Sequence, residues 1–347
     1  MSREEPLTTH RRPRPATLKE VARAAGVHVS TVSRVLRQDE PPFGWTEAAL
    51  RVRKVADELG YRPNLSAASL RTRQTMTLGV VMPRLTDSVA AVTCQAIEEA
   101  ARQAGYQMLL ASPPDEMTPQ IDSINLLLDR QVDGLILSNL HIPADPALQA
   151  VDHRGVPVLL VSRHADSTLP SVTIDNRRGG YLATEHLIAL GHRRIGLVGS
   201  TSHTSAGNDR TRGYLDALAR AGIDPDPALI VAGQLDVAGG VDAGRRLLAL
   251  PERPTAVFAT NDEAALGVLG VARDMGITVP EQLSVVGFND IPLVAQLPVP
   301  LTTVQTPSAD MGTTAVARLL DLLADKPVES EILPVQLVVR DSTRTPE

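Results

Sequence analysis

The stretch TLKEVARAAGVHVSTVSRVL, residues Thr17 to Leu36, has few physical solutions. Thr17 and Glu20 have the S/T-x-x-E spacing of a capping box, so a helix starts at Leu18. Leu18, Val21, Ala22 and Ala25 then fall on one face at i, i+3, i+4, i+7 spacing. Gly26 supplies a tight turn, and Val32, Val35 and Leu36 form the apolar stripe of a second helix. The opposite face holds Val29, Ser30, Ser33, Arg34 and Arg37, which makes it small, hydroxylated and cationic. Such a face fits a DNA major groove, where hydroxyls meet phosphates and an arginine reaches guanine O6 and N7. The helix pattern by itself fits a solvent-exposed hairpin of a larger core equally well.

Composition narrows the choice. A chain of 347 residues is long for one domain, so two or three are expected, and 43% hydrophobic residues supply their cores. The apolar runs are too short to cross a bilayer, and the basic, proline-rich start lacks the apolar run of a secretory signal. A single cysteine, Cys94, excludes an internal disulfide and fits a reducing cytoplasm; on a helix it reads as a small buried hydrophobe. Residues 1–74 carry 14 Lys and Arg against 8 Asp and Glu, and the rest of the chain carries 20 against 32. A basic head on an acidic body suits binding to DNA through one end while the body is repelled from phosphate. A cytoplasmic, nucleoid-associated protein with no membrane contact is the expectation.

Outward from the opening stretch, residues 1–15 read as a disordered basic arm, either adding phosphate contacts or simply solvated. The loop QDEPPFGW, residues 38–45, leads to a third helix from about Thr46 to Leu59, with Val52, Val55, Ala56 and Leu59 facing a small core, Trp45 packed beneath, and Gly60 ending it. In YRPNLSAASLRTR, Pro63 keeps Arg62 extended and Asn64 caps a segment, Leu65 to Leu70, too short to be helical alone. It reads as a helix ordered only on DNA, or as a plain linker. From Thr77 short apolar strands alternate with helices: LGVVM, QMLLA, GLILS and PVLLV in a first half, RIGLVG, LIVAG, TAVFAT and LSVVGF in a second. Two doubly wound parallel sheets are predicted, with a ligand in the cleft at the carboxyl ends of their strands.

TLKEVARAAGV-x-x-STVSRVL followed by ADELGYRPN resembles the DNA-binding headpiece of the lactose and galactose repressor (LacI/GalR) family, and the resemblance continues through most of the body. VDGLIL at 132–137, TIDNRRGGYLATEHLIALGHRRIGLVG at 173–199, TAVFATNDEAALG at 255–267, LSVVGFND at 283–290, LTTV at 301–304 and LVVRDST at 337–343 carry it. The implied fold is an all-α helix-turn-helix headpiece joined to an α/β effector domain like the periplasmic sugar-binding proteins, made of two doubly wound parallel-sheet subdomains. The implied division is a headpiece at 16–62, a hinge helix and linker at 63–75, and an effector-binding and dimerisation domain at 76–347. That domain divides into subdomains of about 76–175 plus 305–335 and 176–304 plus 336–347, with crossings near Ile174 to Asn176, Val304 to Pro307 and Pro334 to Gln336.

The resemblance also implies roles. Val29, Ser30 and Arg34 hold the positions that commonly read bases, with Val29 suited to a thymine methyl; Thr31 and Ser33 suit phosphates. His28 replaces the usual N-capping serine, which weakens the cap by up to about 1 kcal/mol unless the imidazole substitutes. Thr17, at the start of the first helix, joins the DNA-facing set. Asn64, Ala67 and Leu70 belong to the hinge, where Leu70 would wedge between central base steps in the minor groove; Ala68 replaces an arginine often found in relatives. In the cleft the motif positions select Asp175, Arg210, Asn261 and Asn289, with Ser162 and Arg163. Relatives often have Asp-Asp where Asn289 and Asp290 stand and Asp at Ser162. A pocket that loses these charges and keeps two arginines suggests an anionic or weakly polar effector. With eight aromatic residues in all, ring stacking has few candidates, Phe288 among them.

The function implied is a transcriptional regulator, most readily a repressor. It would bind a pseudo-palindromic double-stranded DNA operator as a homodimer under allosteric control by a sugar or related metabolite. No leucine heptad follows LVVRDST, so a dimer is favoured over a tetramer. A transport receptor is the alternative the body permits. An enzyme is disfavoured: no Walker loop, dinucleotide glycine fingerprint or metal-type His/Cys spacing is present, the histidines are scattered, and no cofactor is implied.

Overall fold

The structure is a computed structural model that describes residues 16–36, 44–62, 74–138, 151, 154–164, 169–200 and 204–346, with the backbone alone at 200. The basic arm, Arg37, most of the loop after the second helix, and the hinge residues Asn64, Ala67 and Leu70 lie outside the described residues. The chain divides into two compact units, Met1–Thr75 and Met76–Glu347.

In the first unit α1 (Leu18–Ala25), α2 (Val29–Val35) and α3 (Glu47–Glu58) enclose a small core of Val21, Ala22, Ala25, Val32, Val35, Ala49, Val52 and Ala56, closed by Tyr61. The capping box forms as the spacing requires: the Thr17 hydroxyl accepts from Glu20 N–H, and the Glu20 carboxylate accepts from Thr17 N–H at 2.7 Å. Gly26 turns the chain at φ +67°, a conformation that costs glycine little. Arg51 on α3 donates to the carbonyl of Ala25 at 3.1 Å and ties the third helix to the end of the first. Trp45 packs against this core, with the Arg53 guanidinium 4.6 Å from its ring centroid. Leu59, expected in the core, is 43% exposed because the helix ends at Glu58 and Leu59 is its C-cap.

The second unit holds two six-stranded sheets. The first contains β1 (Thr77–Val81), β2 (Gln107–Ala111), β3 (Gly134–Leu137), β4 (Val158–Val161), β5 (Ser171–Ile174) and β11 (Glu331–Leu333), in the order β11-β5-β4-β3-β1-β2. The second contains β6 (Ile195–Ser200), β7 (Ile230–Gly233), β8 (Ala256–Ala259), β9 (Ser284–Asn289), β10 (Thr302–Gln305) and β12 (Gln336–Val338), in the order β12-β10-β9-β8-β6-β7. All pairings are parallel except β10 with β12. Strands β3, β4, β5 and β8 are buried throughout, as parallel strands covered by helices on both faces must be.

The helices that cover the sheets are α4 (Ser88–Gln103), α5 (Met117–Asp129), α6 (Asn176–Ala189), α7 (Ser205–Arg220), α8 (Val237–Leu248), α9 (Asp262–Asp274) and α10 (Ser308–Leu323). The chain passes from the first sheet to the second after β5, returns after β10 as α10 packs on α4, and passes again between β11 and β12. The fold is therefore the helix-turn-helix headpiece with a periplasmic-binding-protein-like body that the sequence implied. α7 begins at Ser205, and its Ala206, Gly207 and Arg210 line the cleft.

Candidate DNA-reading face and ligand cleft

α2 turns Ser30 and Arg34 of its predicted outer face to the surface, whereas Val29, read on that face, packs partly against the headpiece core. His28, Ser30 and Arg34 are exposed, while Val29, Thr31 and Ser33 are half-buried. The imidazole does substitute for the missing serine: His28 Nδ1 accepts from Ser30 N–H at 3.3 Å and lies 2.7 Å from Ser30 Oγ. Only one ring nitrogen is used in that cap. Thr17 sits half-buried at the start of α1 with its hydroxyl engaged by Glu20.

In the body the carboxyl ends of β1, β3, β4, β8 and β9 converge on one cavity. Its wall includes Ser162, Arg163, Arg210, Asn261 and Asn289, five of the six residues selected from the sequence. Asp175 is not brought there. Its side chain is exposed and caps α6, accepting from Arg178 N–H at 2.8 Å, so the acid in TIDN starts a helix instead of facing the cleft.

Arg210 is the chemical centre of the cavity. It is 8% exposed, donates from Nε to Asn176 Oδ1 at 2.8 Å and from Nη1 to the carbonyl of Thr260 at 2.6 Å, and lies 3.7 Å from the Phe288 ring centroid. Burial pulls its pKa down to about 10, so it stays protonated at neutral pH. Neither hydrogen bond goes to a carboxylate. Phe288, a candidate for stacking on a ligand, is instead fully buried behind Arg210 and serves as its cation–π platform. The place of Arg210 depends on the approach of α6 and α7. A Cβ at Gly180 would fall 2.1 Å from the Arg210 carbonyl, and one at Gly213 would fall 2.0 Å from that of Arg177. Only glycine allows backbones this close.

The other cavity residues are held by backbone geometry. Asn261 caps α9, accepting from Ala264 N–H at 2.9 Å and donating to the Leu235 carbonyl at 3.1 Å. Asn289 has φ +115° and Asp290 φ +57°. This costly turn is pinned from behind by Asp262, whose buried carboxylate accepts from Thr303 Oγ1 at 2.6 Å and from Ile291 N–H at 2.8 Å. Burial pushes the Asp262 carboxyl above its ordinary pKa. Ser162, also left-handed at φ +65°, contacts Met311 Sδ at 3.7 Å. Burial pulls the Arg163 guanidinium down in pKa, opposed by Asp115 and Asp87.

Asp87, Ser138 and Thr204 also line the cavity and were not selected from the sequence. Each stands shortly after a strand, Asp87 after β1, Ser138 after β3 and Thr204 after β6, a signal that could have found them. Two pairs bridge the lobes at the cavity mouth: Arg84 to Asp236 at 3.4 Å, and His164 Nε2 to Asp209 at 2.8 Å, with His164 N–H also donating to Ser205 Oγ at 3.0 Å. Among the described residues no group of three or more His, Cys, Asp or Glu could hold a metal ion, and no helix is long and apolar enough to cross a membrane.

An exposed helix-turn-helix face and a two-lobed cleft around a buried cation, carried by one chain, define the class of ligand-responsive DNA-binding regulators. Residues 17–64 match the lacI family of bacterial regulatory proteins, and residues 184–343 match the periplasmic binding protein-like domain. The transcriptional repressor CytR of Escherichia coli (strain K12) is 33% identical over 333 residues, spanning 95% of this chain and 96% of the relative. The solved lac repressor dimer bound to operator and the anti-inducer ONPF is 29% identical, with a TM-score of 0.85 over 95% of this chain and 100% of that one. The transcriptional regulator CelR, solved in complex with cellobiose, is 34% identical, with a TM-score of 0.72 over 95% of this chain and 100% of that one. The chain belongs to the LacI family of bacterial regulatory proteins.

Proposed function

We propose that the protein is a transcriptional repressor that holds a pseudo-palindromic operator as a homodimer, with a small-molecule effector, a sugar or related metabolite, setting how tightly it holds. The observation that carries this is the pairing, in one chain, of the exposed Ser30 and Arg34 face with the buried Arg210, hydrogen-bonded to an amide and a backbone carbonyl, at the head of a cleft. The lac repressor dimer bound to operator and the CelR complex with cellobiose support both partners.

In this reading Val29, Ser30 and Arg34 read bases, while Thr17, His28, Thr31 and Ser33 position the helix on the backbone. Asn64, Ala67 and Leu70 form a hinge at 63–75 that enters the minor groove. Ser162, Arg163, Arg210, Asn261 and Asn289 bind the effector. Closing of the two lobes, about 76–175 plus 305–335 against 176–304 plus 336–347, alters the support under the hinge, so ligand and operator affinities are linked reciprocally. The protein acts in the cytoplasm, and no catalytic step is part of this mechanism.

Selection of bound duplexes from a randomised pool, followed by footprinting, tests the reading. Recovery of a two-fold symmetric site whose occupancy changes with a cleft ligand is expected. Equal binding to every duplex would remove the reading head, and Leu70→Ala with unchanged operator bending would remove the wedge.

A further inference from the structure

Of the hydroxyl residues in α2, Ser30 is exposed while Thr31 and Ser33 are half-buried. A serine hydroxyl rotates to suit its surroundings and offers one donor and two acceptor sites. In a major groove such a group can pair with either kind of base edge, so a free serine discriminates little. Here the rotor has a partner. His28 Nδ1 lies 2.7 Å from Ser30 Oγ, and the Ser30 N–H donates to the same nitrogen at 3.3 Å.

Together the two contacts place the protons. A nitrogen that accepts from a backbone N–H presents a lone pair, so Nδ1 carries no hydrogen and the ring proton sits on Nε2. The hydrogen between Nδ1 and Oγ is then the serine's own, and the hydroxyl donates to the imidazole. The opposite arrangement, with Nδ1–H donating to Oγ, would set the hydrogens of Nδ1 and Ser30 N against each other and undo the cap of α2. Among the described residues the Ser30 hydroxyl has no other hydrogen-bond partner. Its one proton is therefore engaged within the headpiece, and its oxygen offers lone pairs alone.

The groove distinguishes such a group from an ordinary hydroxyl. Guanine N7 and O6 and thymine O4 are acceptors there, whereas adenine N6 and cytosine N4 are amino donors. An oxygen limited to accepting gains a bond from an amino group, and against another acceptor it loses its water with no return. Arg34, on the same helix, has donors only.

We propose that His28 is a positioning residue for base reading: by holding the Ser30 hydroxyl proton it turns Ser30 into an acceptor that selects an adenine or cytosine amino group. The proposal rests on the reading that α2 enters the major groove, and it gives His28 a role beyond the helix cap. A cap needs only an acceptor for the Ser30 N–H. Control of the hydroxyl needs an acceptor that cannot also donate. Serine at position 28 meets the first need alone, and a carboxylate meets both.

The test is competition binding by the full chain on the operator recovered from a randomised pool. The position at which Ser30→Ala loses discrimination locates the contact. Exchanging the amino base there for its analogue without the amino group, purine for adenine or 2-pyrimidinone for cytosine, should weaken the parent by about fivefold or more and Ser30→Ala by less than about twofold. Carbon in place of N7 in the purine of the same pair should change the parent by less than about twofold. His28→Ser should lose preference at this position and at no other, and His28→Asp should keep it while its charge lowers affinity for all duplexes. His28→Ser that discriminates there as the parent does, a Ser30-dependent position that senses N7 and not the amino group, or an operator that Ser30→Ala reads unchanged overturns the proposal and leaves the regulator intact. A parent that prefers no duplex would instead remove the reading head itself, and the proposal with it.

Discussion

Arg34 and Arg210 carry the same charge in opposite surroundings. Arg34 stands exposed on a helix whose geometry is set by its immediate neighbours in the chain. Arg210 is buried, held by Asn176 at the start of α6, Thr260 after β8 and Phe288 in β9. The first meets its partner from water, and its contribution is screened by salt. The second has its geometry fixed before any ligand arrives, in a setting where salt screens little. Recognition of DNA by the head should accordingly fall steeply with ionic strength, while effector binding by the body should barely change.

The largest expected effect is at the buried member. Arg210→Ala removes a cation and leaves Asn176 Oδ1 and the Thr260 carbonyl without a donor, so effector affinity should fall by about 2 to 5 kcal/mol in a calorimetric titration. An unchanged affinity would break the contrast outright. Arg34→Ala should cost about 1 to 3 kcal/mol of preference for the selected operator in competition gel shifts, leaving weak, sequence-blind binding intact.

A pH effect comes next, confined to the body. His192 is buried, with Nδ1 2.8 Å from Thr255 Oγ1 and Nε2 2.9 Å from the Arg344 carbonyl, and His186 Nε2 lies 2.9 Å from Thr343 Oγ1. Burial holds both imidazoles below their ordinary pKa. As pH falls, the unfolded chain therefore takes up protons first. The stability is full above about pH 6.5 and is lost below it. Urea unfolding of the body should show this acid slope, and His192→Gln should flatten it; an unchanged slope would remove His192 as its source. The smallest effect is at His28, where alanine should lower headpiece stability by about 0.5 to 1 kcal/mol and serine should restore it, as read by thermal melts.

The same contrast explains what was legible in the sequence. The described helices of the headpiece were largely legible, because capping boxes, helix faces and a turn glycine act over four or five positions. Among its described residues Leu59 was misplaced at a helix end, where periodicity stops being informative, and Val29, read on the outer face, packs partly against the core. The alternation of strands and helices was likewise local and visible, but the edge strands β11 and β12 are three residues each and carry no pattern of their own. In the cleft, motif positions led to five of the wall residues but misassigned Asp175, since an acid before a helix suits a ligand and a cap equally well until the backbone decides. That Phe288 supports Arg210 instead of facing a ligand depends on Gly179 and Gly180 letting α6 approach, a relation between distant segments that no local pattern records.

The interleaving of the two sheets bears on how the chain is made. Each takes an edge strand from the last segment, β11 for one and β12 for the other, and Ser342, Thr343 and Arg344 then fasten that segment to Val285, His186 and Ser284. During synthesis neither lobe can be finished until the ribosome has released residues 331–344, so the receptor matures as a whole, after the headpiece that it governs has had every opportunity to fold.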